Sequence, residues 1–505
     1  MATVQKPKTK SRYKVSPRKG DSGPEGLRGF LARQEKDRLV DLLLDQALTD
    51  DRFLRKLTLE MAKGGSQEPP LAAIRRTLSA AFDPDRIYSY REVYSYADDL
   101  HKEVDILEDM LEQGHANEVI ELAEYALSLT EEALEQVDDS DGDVYTLLER
   151  LQELHLMACK KARPEPEALA RRLFACEMQT SWESFHGAVG TYAGLLGKKG
   201  LAVYRELAEA EWKKIPARKP GESTDFSSQR SRLASILEYL TRSAGDLEGL
   251  VAVKAHDLSR ASAFLEIAEI YKEAGQKDLA LQWAEKGVSA FPKQTDPRLR
   301  SFLAGEYKRR RRLEEAVALV WANFTDWPQL DSYQELKKYA EPAGHWPEWR
   351  EKALDVLRDL ARKARPQSPS RWISFGFGED PASRLVEILL WEKEADEAWK
   401  EAQRLGCSEA LWLTLAKLRE RSHPEEALAV YQRQAESALQ QVNQEGYKVA
   451  VARLRQVRDV MKRLGKDREL AAYLDSVRFT HKRKRNFLLL LNAAKLERRG
   501  SGAEG

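Results

Sequence analysis

An internal echo at a spacing of 36 residues constrains this chain more than any other feature. Ile267 is answered by Leu303, Ala268 by Ala304, Tyr271 by Tyr307, Ala280 by Ala316, Phe291 by Trp327 and Pro292 by Pro328. Small residues recur where two helices must touch, aromatic residues where a groove must be filled, and proline where a helix must stop. A helical hairpin cannot bury its apolar flank alone, so a fixed period of this kind predicts hairpins stacked on one another.

The residues inside one unit support that reading. Phe264, Ile267, Ala268 and Tyr271 share one helical face, and Ala280, Leu281, Ala284 and Gly287 share the next. Ala268 and Ala280 let the two backbones approach, and Gly275 can take the left-handed conformation that ends a helix. These positions resemble the tetratricopeptide consensus, with a period slightly longer than the usual length of about 34. The predicted fold class is all-α, an α-solenoid of helical hairpins of tetratricopeptide-like form. No alternating segment is long enough to predict a sheet.

The rest of the chain is predicted to fall into six stretches. Residues 1–26 carry seven cations among Pro7, Pro17 and Pro24, with nothing apolar to bury, and are expected to be a disordered basic tail. An N-terminal helical domain spans 27–212, with an antiparallel pair at 91–113 and 116–136 joined at Gly114. A linker at 213–225 precedes tetratricopeptide-like repeats over 226–365. A second linker at 366–380 leads to C-terminal helical repeats and a cap over 381–497, the cap formed by helices at 445–464 and 467–492.

The chain also resembles the uncharacterised helical region of bacterial SWIM zinc finger family proteins. The segments that carry the resemblance are FLARQEKDRLVDLLLDQA (30–47), EQVDDSDGDV (135–144), LQELHLMACKKARPEPEALARRLF (151–174), WAEKGVSAFPKQTDPRLRSFLAGEY (283–307) and THKRKRNFLLLL (480–491). The resemblance implies an all-helical repeat protein with no assigned reaction. A SWIM finger needs a Cys-x-Cys pair followed by Cys-x-His as zinc ligands. This sequence contains neither. The finger's contacts are therefore not carried over, and a separate SWIM zinc finger protein becomes a candidate partner.

Other chemistry finds little support. His155, Cys159, Cys176 and His186 offer zinc-type ligands at a spacing that matches no finger, and the cysteines read as small core residues. The acidic run Asp138–Asp143 fails as a calcium loop, because Gly142 at its sixth position puts Val137 first and Leu148 twelfth. It reads as an acidic helix start. Gly376-Phe377-Gly378 lacks the third glycine of a phosphate cradle. No catalytic residue, cofactor or metal is predicted, and the chain is read as non-enzymatic. Three cysteines give no disulfide framework, no apolar run reaches the roughly 20 residues a membrane helix needs, and no signal peptide is apparent. A cytoplasmic protein without a membrane anchor is expected.

Charge is balanced overall but not locally. Residues 98–143 hold 17 acidic residues against Lys102, and residues 446–500 hold 16 basic against five acidic. Two readings of function follow. In the first, the chain is a scaffold for protein–protein interaction whose concave face grips an extended segment or a helix, with Tyr271, Trp283, Tyr307 and Arg311 as contact candidates. In the second, it is a nucleic-acid-associated factor that uses the basic tail and the contiguous Lys482, Arg483, Lys484 and Arg485.

Overall fold

A computed structural model of the protein describes residues 24–49, 53, 57, 71–83, 90–179, 182, 184–222, 227–293, 295–364 and 380–496. The expected linker at 366–380 apart from Asp380, the Gly376–Gly378 motif and most of the 1–26 tail lie outside them. Helices account for the regular structure of the described residues. Strand-like pairing among them is limited to one isolated parallel bridge between Arg218 and Asp257.

The chain divides into two units. The first comprises Met1–Ala217 with Asp225–His256, and the second Arg218–Thr224 with Asp257–Gly505. Residues 226–256 were grouped with the repeats by the sequence, but their helices Ser228–Ala244 and Leu247–Ala255 pack within the first unit. Leu233, Ile236, Leu237 and Leu240 join a core that runs back to Ile74. Arg230 ties the same helix to the preceding turn by donating to the Pro216 carbonyl at 2.6 Å.

In the first unit, Tyr90–Glu112 and Ala116–Leu134 form the expected pair around Gly114, and Leu107, Leu111, Val119, Leu122 and Ala126 meet in the core. A single helix is expected at 181–195. Among the described residues of that stretch, Ala188–Thr191 is helical before the next helix, Ala193–Trp212, begins, and Gly197 interrupts that helix with positive φ.

The second unit is a run of hairpins. The pairs are Ala261–Glu273 with Lys277–Ala290, Pro297–Arg309 with Leu313–Asp326, Leu330–Ala340 with Trp346–Ala364, Pro381–Trp391 with Ala395–Leu405, and Glu409–Arg419 with Pro424–Gln440. Gln444–Arg463, Asp467–Thr480 and Arg485–Ala493 close the run. The echo residues hold matching places: Ile267 and Leu303, Ala268 and Ala304, and Ala280 and Ala316 are all buried. First helices of successive hairpins also touch one another. Ala261–Glu273 meets Pro297–Arg309, and Pro381–Trp391 meets both Leu330–Ala340 and Glu409–Arg419. This side-by-side repetition makes the unit an α-solenoid of tetratricopeptide-like hairpins.

The continuous helix expected over 467–492 is broken at 481–484. The His481 ring tucks against Glu436 at 3.0 Å, and Lys484 donates to the Leu439 carbonyl at 2.5 Å. Four successive cations are thereby spread around a turn.

Candidate functional site

The face presented by the first helices of the repeats is the most organised surface of the second unit. Lys272, Lys308 and Lys337 lie in the last turns of the first three of these helices, where the negative end of the helix dipole favours a cation. Each lysine reaches across to an aromatic ring on the next first helix. Lys272 Nζ lies 4.7 Å from the Phe302 ring centre, Lys308 Nζ 4.9 Å from that of Tyr339, and Lys337 Nζ 5.2 Å from that of Trp391. At the other end of the same helices, the Arg384 guanidinium lies 5.6 Å from the ring centre of the half-exposed Trp327. A cation over an aromatic face is attracted by the ring's quadrupole. The three lysine contacts form a ladder whose rungs each join two neighbouring hairpins.

The expected contact residues are placed differently. Tyr271 is only 4% exposed, and its ring spaces the helices within the core, closed to a partner. Trp283 packs on Phe264 with ring centres 5.8 Å apart, beneath Lys286. Tyr307 donates to Glu285 at 3.0 Å and lies under Arg312 at 3.8 Å. Trp283 therefore packs within the first hairpin, and Tyr307 belongs to the joint between the first and second. Arg311 is exposed at the tip of a turn, with φ of 60°. The structure does not gather these four onto one surface.

The cluster Lys308–Arg312 is mostly spent on joining repeats. Arg309 and Arg310 both pair with Glu306, which is buried, and Arg310 continues to Asp278 at 2.9 Å and the Lys277 carbonyl at 3.1 Å. Arg312 clamps Glu285 and Glu315. A similar lattice, not anticipated from the sequence, joins the third and fourth hairpins. Arg350 donates to Glu392 at 2.8 Å and Glu397 at 3.1 Å, Arg358 to Glu397 at 3.1 Å and Glu401 at 2.8 Å, and Tyr333 to Glu392 at 2.8 Å.

At the C-terminal cluster, Lys482, Arg483 and Arg485 are exposed, while Lys484 is committed to the Leu439 carbonyl. Phe479 is 73% exposed with Lys482 Nζ 4.8 Å from its ring centre, whereas Phe487 is fully buried.

In the first unit, His155 is buried between Tyr192, at 2.7 Å from Nδ1, and Glu124, at 3.2 Å from Nε2. Arg172 completes the chain by donating to Glu124 at 2.8 Å. Burial pushes the Cys159 and Cys176 thiols up to about 12, so neither is a thiolate at neutral pH. Among the described residues, no three metal-binding side chains converge. In the acidic run, Asp139 accepts from the amides of Val144 and Tyr145 at 3.0 and 2.8 Å, which fixes the start of the following helix. No helix of the described residues is long and apolar enough to cross a membrane.

These features define a helical-repeat protein whose surface is organised by its repeat. The chain belongs to DUF6880, a family of unknown function whose model matches residues 31–376. The match takes in the first three hairpins of the second unit and stops short of Pro381. No curated protein matches the chain. Among solved structures it is similar to the Naa15/Naa10 complex bound to HypK-THB, at 16% identity over 83% of this chain and 64% of that one, with a TM-score of 0.31. It is also similar to yeast Tom70, at 14% identity over 92% of this chain and 96% of that one, with a TM-score of 0.22. A third similarity is to the P58(IPK) tetratricopeptide domain, at 12% identity over 79% of this chain and 97% of that one, with a TM-score of 0.20. The chain thus spans about 64% of the Naa15/Naa10 chain it matches.

Proposed function

We propose that the chain is a non-enzymatic, cytoplasmic scaffold that binds an extended segment or a helix of another protein on the first-helix face of its repeats. One observation carries this reading: the first helices lie side by side and present a continuous row of aromatic and cationic side chains from Lys272 to Trp391. Half-exposed aromatic rings and long cationic side chains are what protein-binding surfaces concentrate. The test is site-specific photocrosslinking in native cells. A crosslinker at Phe302 or Lys338 is expected to capture a partner, and one at Gln282 or Ala318, exposed on the second helices, is expected to capture none. Capture from the second helices alone would reverse the assignment. The resemblance to SWIM zinc finger proteins adds a partner to this reading, a separate chain that supplies the finger absent here. Co-purification of a zinc-containing protein through Phe302, and not through Gln282, tests it.

A second reading is favoured by the C-terminal turn. Among the described residues, Lys482, Arg483 and Arg485 have no carboxylate partner, and they project beside the exposed ring of Phe479, which suits phosphate contacts next to a base-stacking surface. Nucleic-acid affinity measured against salt should then fall steeply as salt rises. The double substitution Lys482→Glu with Arg483→Glu should remove that affinity, and unchanged binding would discard this reading.

A further inference from the structure

The ladder has a spacing, and the spacing selects a partner. Resting on the scaffold reading above, we propose that Lys272, Lys308 and Lys337 recognise an extended segment of another protein that carries an acidic side chain at every third residue.

Among the described residues, each of the three lysines is held by an aromatic ring and none pairs with a carboxylate. Among the described residues, Lys272 meets the Phe302 ring, Lys308 the Tyr339 ring and the Lys338 carbonyl, and Lys337 the rings of Trp346 and Trp391. This sets them apart from the arginines nearby. Arg298, Arg300, Arg309, Arg310, Arg312 and Arg350 all pair with acids of the chain itself. The buried acid of the second first helix, Glu306, is already taken up by two of these arginines. The ladder lysines are thus held by rings, and among the described residues they form no ion pair. The ring beneath each one limits the side-chain freedom that an incoming carboxylate would otherwise have to remove.

The rungs recur once per hairpin along parallel first helices. Packed helices lie about 8–10 Å apart. An extended chain in the polyproline II form advances about 3.1 Å per residue and returns its side chains to the same face every three residues, so about three residues carry it from one first helix to the next. A segment crossing the first helices at their C-terminal ends therefore meets one lysine every third residue. Acidic side chains at that spacing all face the ladder, whereas a spacing of two or four drifts out of step by the third rung. The Phe302 and Trp391 rings, both only partly covered, give the intervening residues an apolar floor.

Synthetic peptides test this directly on the full chain. One series places glutamate at every third position, a second at every second, a third at every fourth, and a fourth replaces glutamate by glutamine at every third. The first is expected to bind at least about tenfold more tightly than the others, since three charge-assisted contacts each contribute a few-fold. Lys272→Gln with Lys308→Gln and Lys337→Gln should abolish that preference, while the three lysine-to-arginine substitutions should keep it. The arginine set retains both charge and ring contact, so it separates lost recognition from lost folding. Equal affinity for all spacings, or a preference that survives the glutamine set, overturns the proposal. The scaffold reading fails separately: if a partner crosslinks at Phe302 but its bound segment is not acidic, only the acidic register is overturned. If nothing crosslinks there and no peptide binds, both are.

Discussion

At the scale of single residues, the turns of the repeats show where this sequence departs from its own pattern. Gly275 and Arg311 are 36 residues apart and hold the same place, with φ of 78° and 60°. In each turn the residue after this position donates back five places, Gln276 to the Tyr271 carbonyl at 2.8 Å and Arg312 to that of Tyr307 at 2.9 Å. This closure requires a left-handed residue, which glycine adopts freely and arginine does not. A left-handed conformation costs an L-residue roughly 1–2 kcal/mol, and glycine gives back part of that gain through its freer unfolded chain. Arg311→Gly is therefore expected to stabilise the protein by about 1 kcal/mol, seen as a higher urea midpoint with an unchanged slope. No change, or a loss, would show that the Arg311 side chain contributes more than its strain costs. Glu177 makes a different point. Burial pushes its carboxyl above the ordinary range, and the donated bonds from Tyr204 at 2.5 Å and the Gly187 amide at 2.9 Å offset only part of that. The folded state then binds a proton more tightly than the unfolded state. Stability attributable to this group is greatest below the unfolded value of about 4.3 and falls as pH rises through the window up to the raised folded value. Glu177→Gln should flatten that part of the stability–pH curve, and urea unfolding of both proteins across mildly acidic pH checks it.

At the scale of elements, close approach between helices sets the tolerance for side-chain volume. Gly287 lies in the second helix of the first hairpin, where a β-carbon would sit 2.5 Å from Phe264 Cβ and 2.8 Å from Leu299 Cδ2. Helix propensity alone favours Gly287→Ala by about 1 kcal/mol. The clash involves one atom tied directly to the backbone of a neighbouring helix, and overpacking of this kind costs about 1–3 kcal/mol. The substitution should therefore destabilise, with a lower midpoint in thermal or urea unfolding, and a stabilised variant would mean that Phe264 moves aside freely. The tryptophans act at the same scale. Trp321 meets Trp349 at 5.1 Å, Trp346 meets Tyr333 at 5.3 Å and Trp399 meets Trp412 at 5.2 Å, so these rings fill the joints between helices.

At the scale of the whole molecule, the apolar core is divided. One buried cluster runs from Ile74 to Leu240, and the others lie within residues 261–496. Repeat units draw stability chiefly from their neighbours. Two unfolding transitions are therefore expected in calorimetry, and Gly287→Ala should lower one of them and leave the other in place. A single transition that shifts as a whole would show the two units to be one cooperative body. Family membership spans both units, up to residue 376.

What the sequence alone determined was the helical hairpin and its repetition, because the residues that build it are local. The buried alanines, the stop at Pro292 and the left-handed glycine all act within a few turns of themselves. Tertiary structure decided what each side chain faces. Tyr271 and Tyr307 are equivalent in the sequence, yet one is sealed in the core and the other clasps Glu285 and Arg312. Of the ladder, the pair Lys272 and Lys308 was legible at the 36-residue spacing. The rings beneath them were not, because Phe302 and Tyr339 stand 37 apart and the longer connection before Pro381 moves Trp391 out of any fixed period. The assignment of Ser228–Ala255 to the first unit was equally beyond a linear reading, since it rests on apolar contacts with helices far back in the chain. A period records how the chain meets its next turn, whereas a surface depends on how neighbouring helices are rotated against each other, and packing alone fixes that rotation.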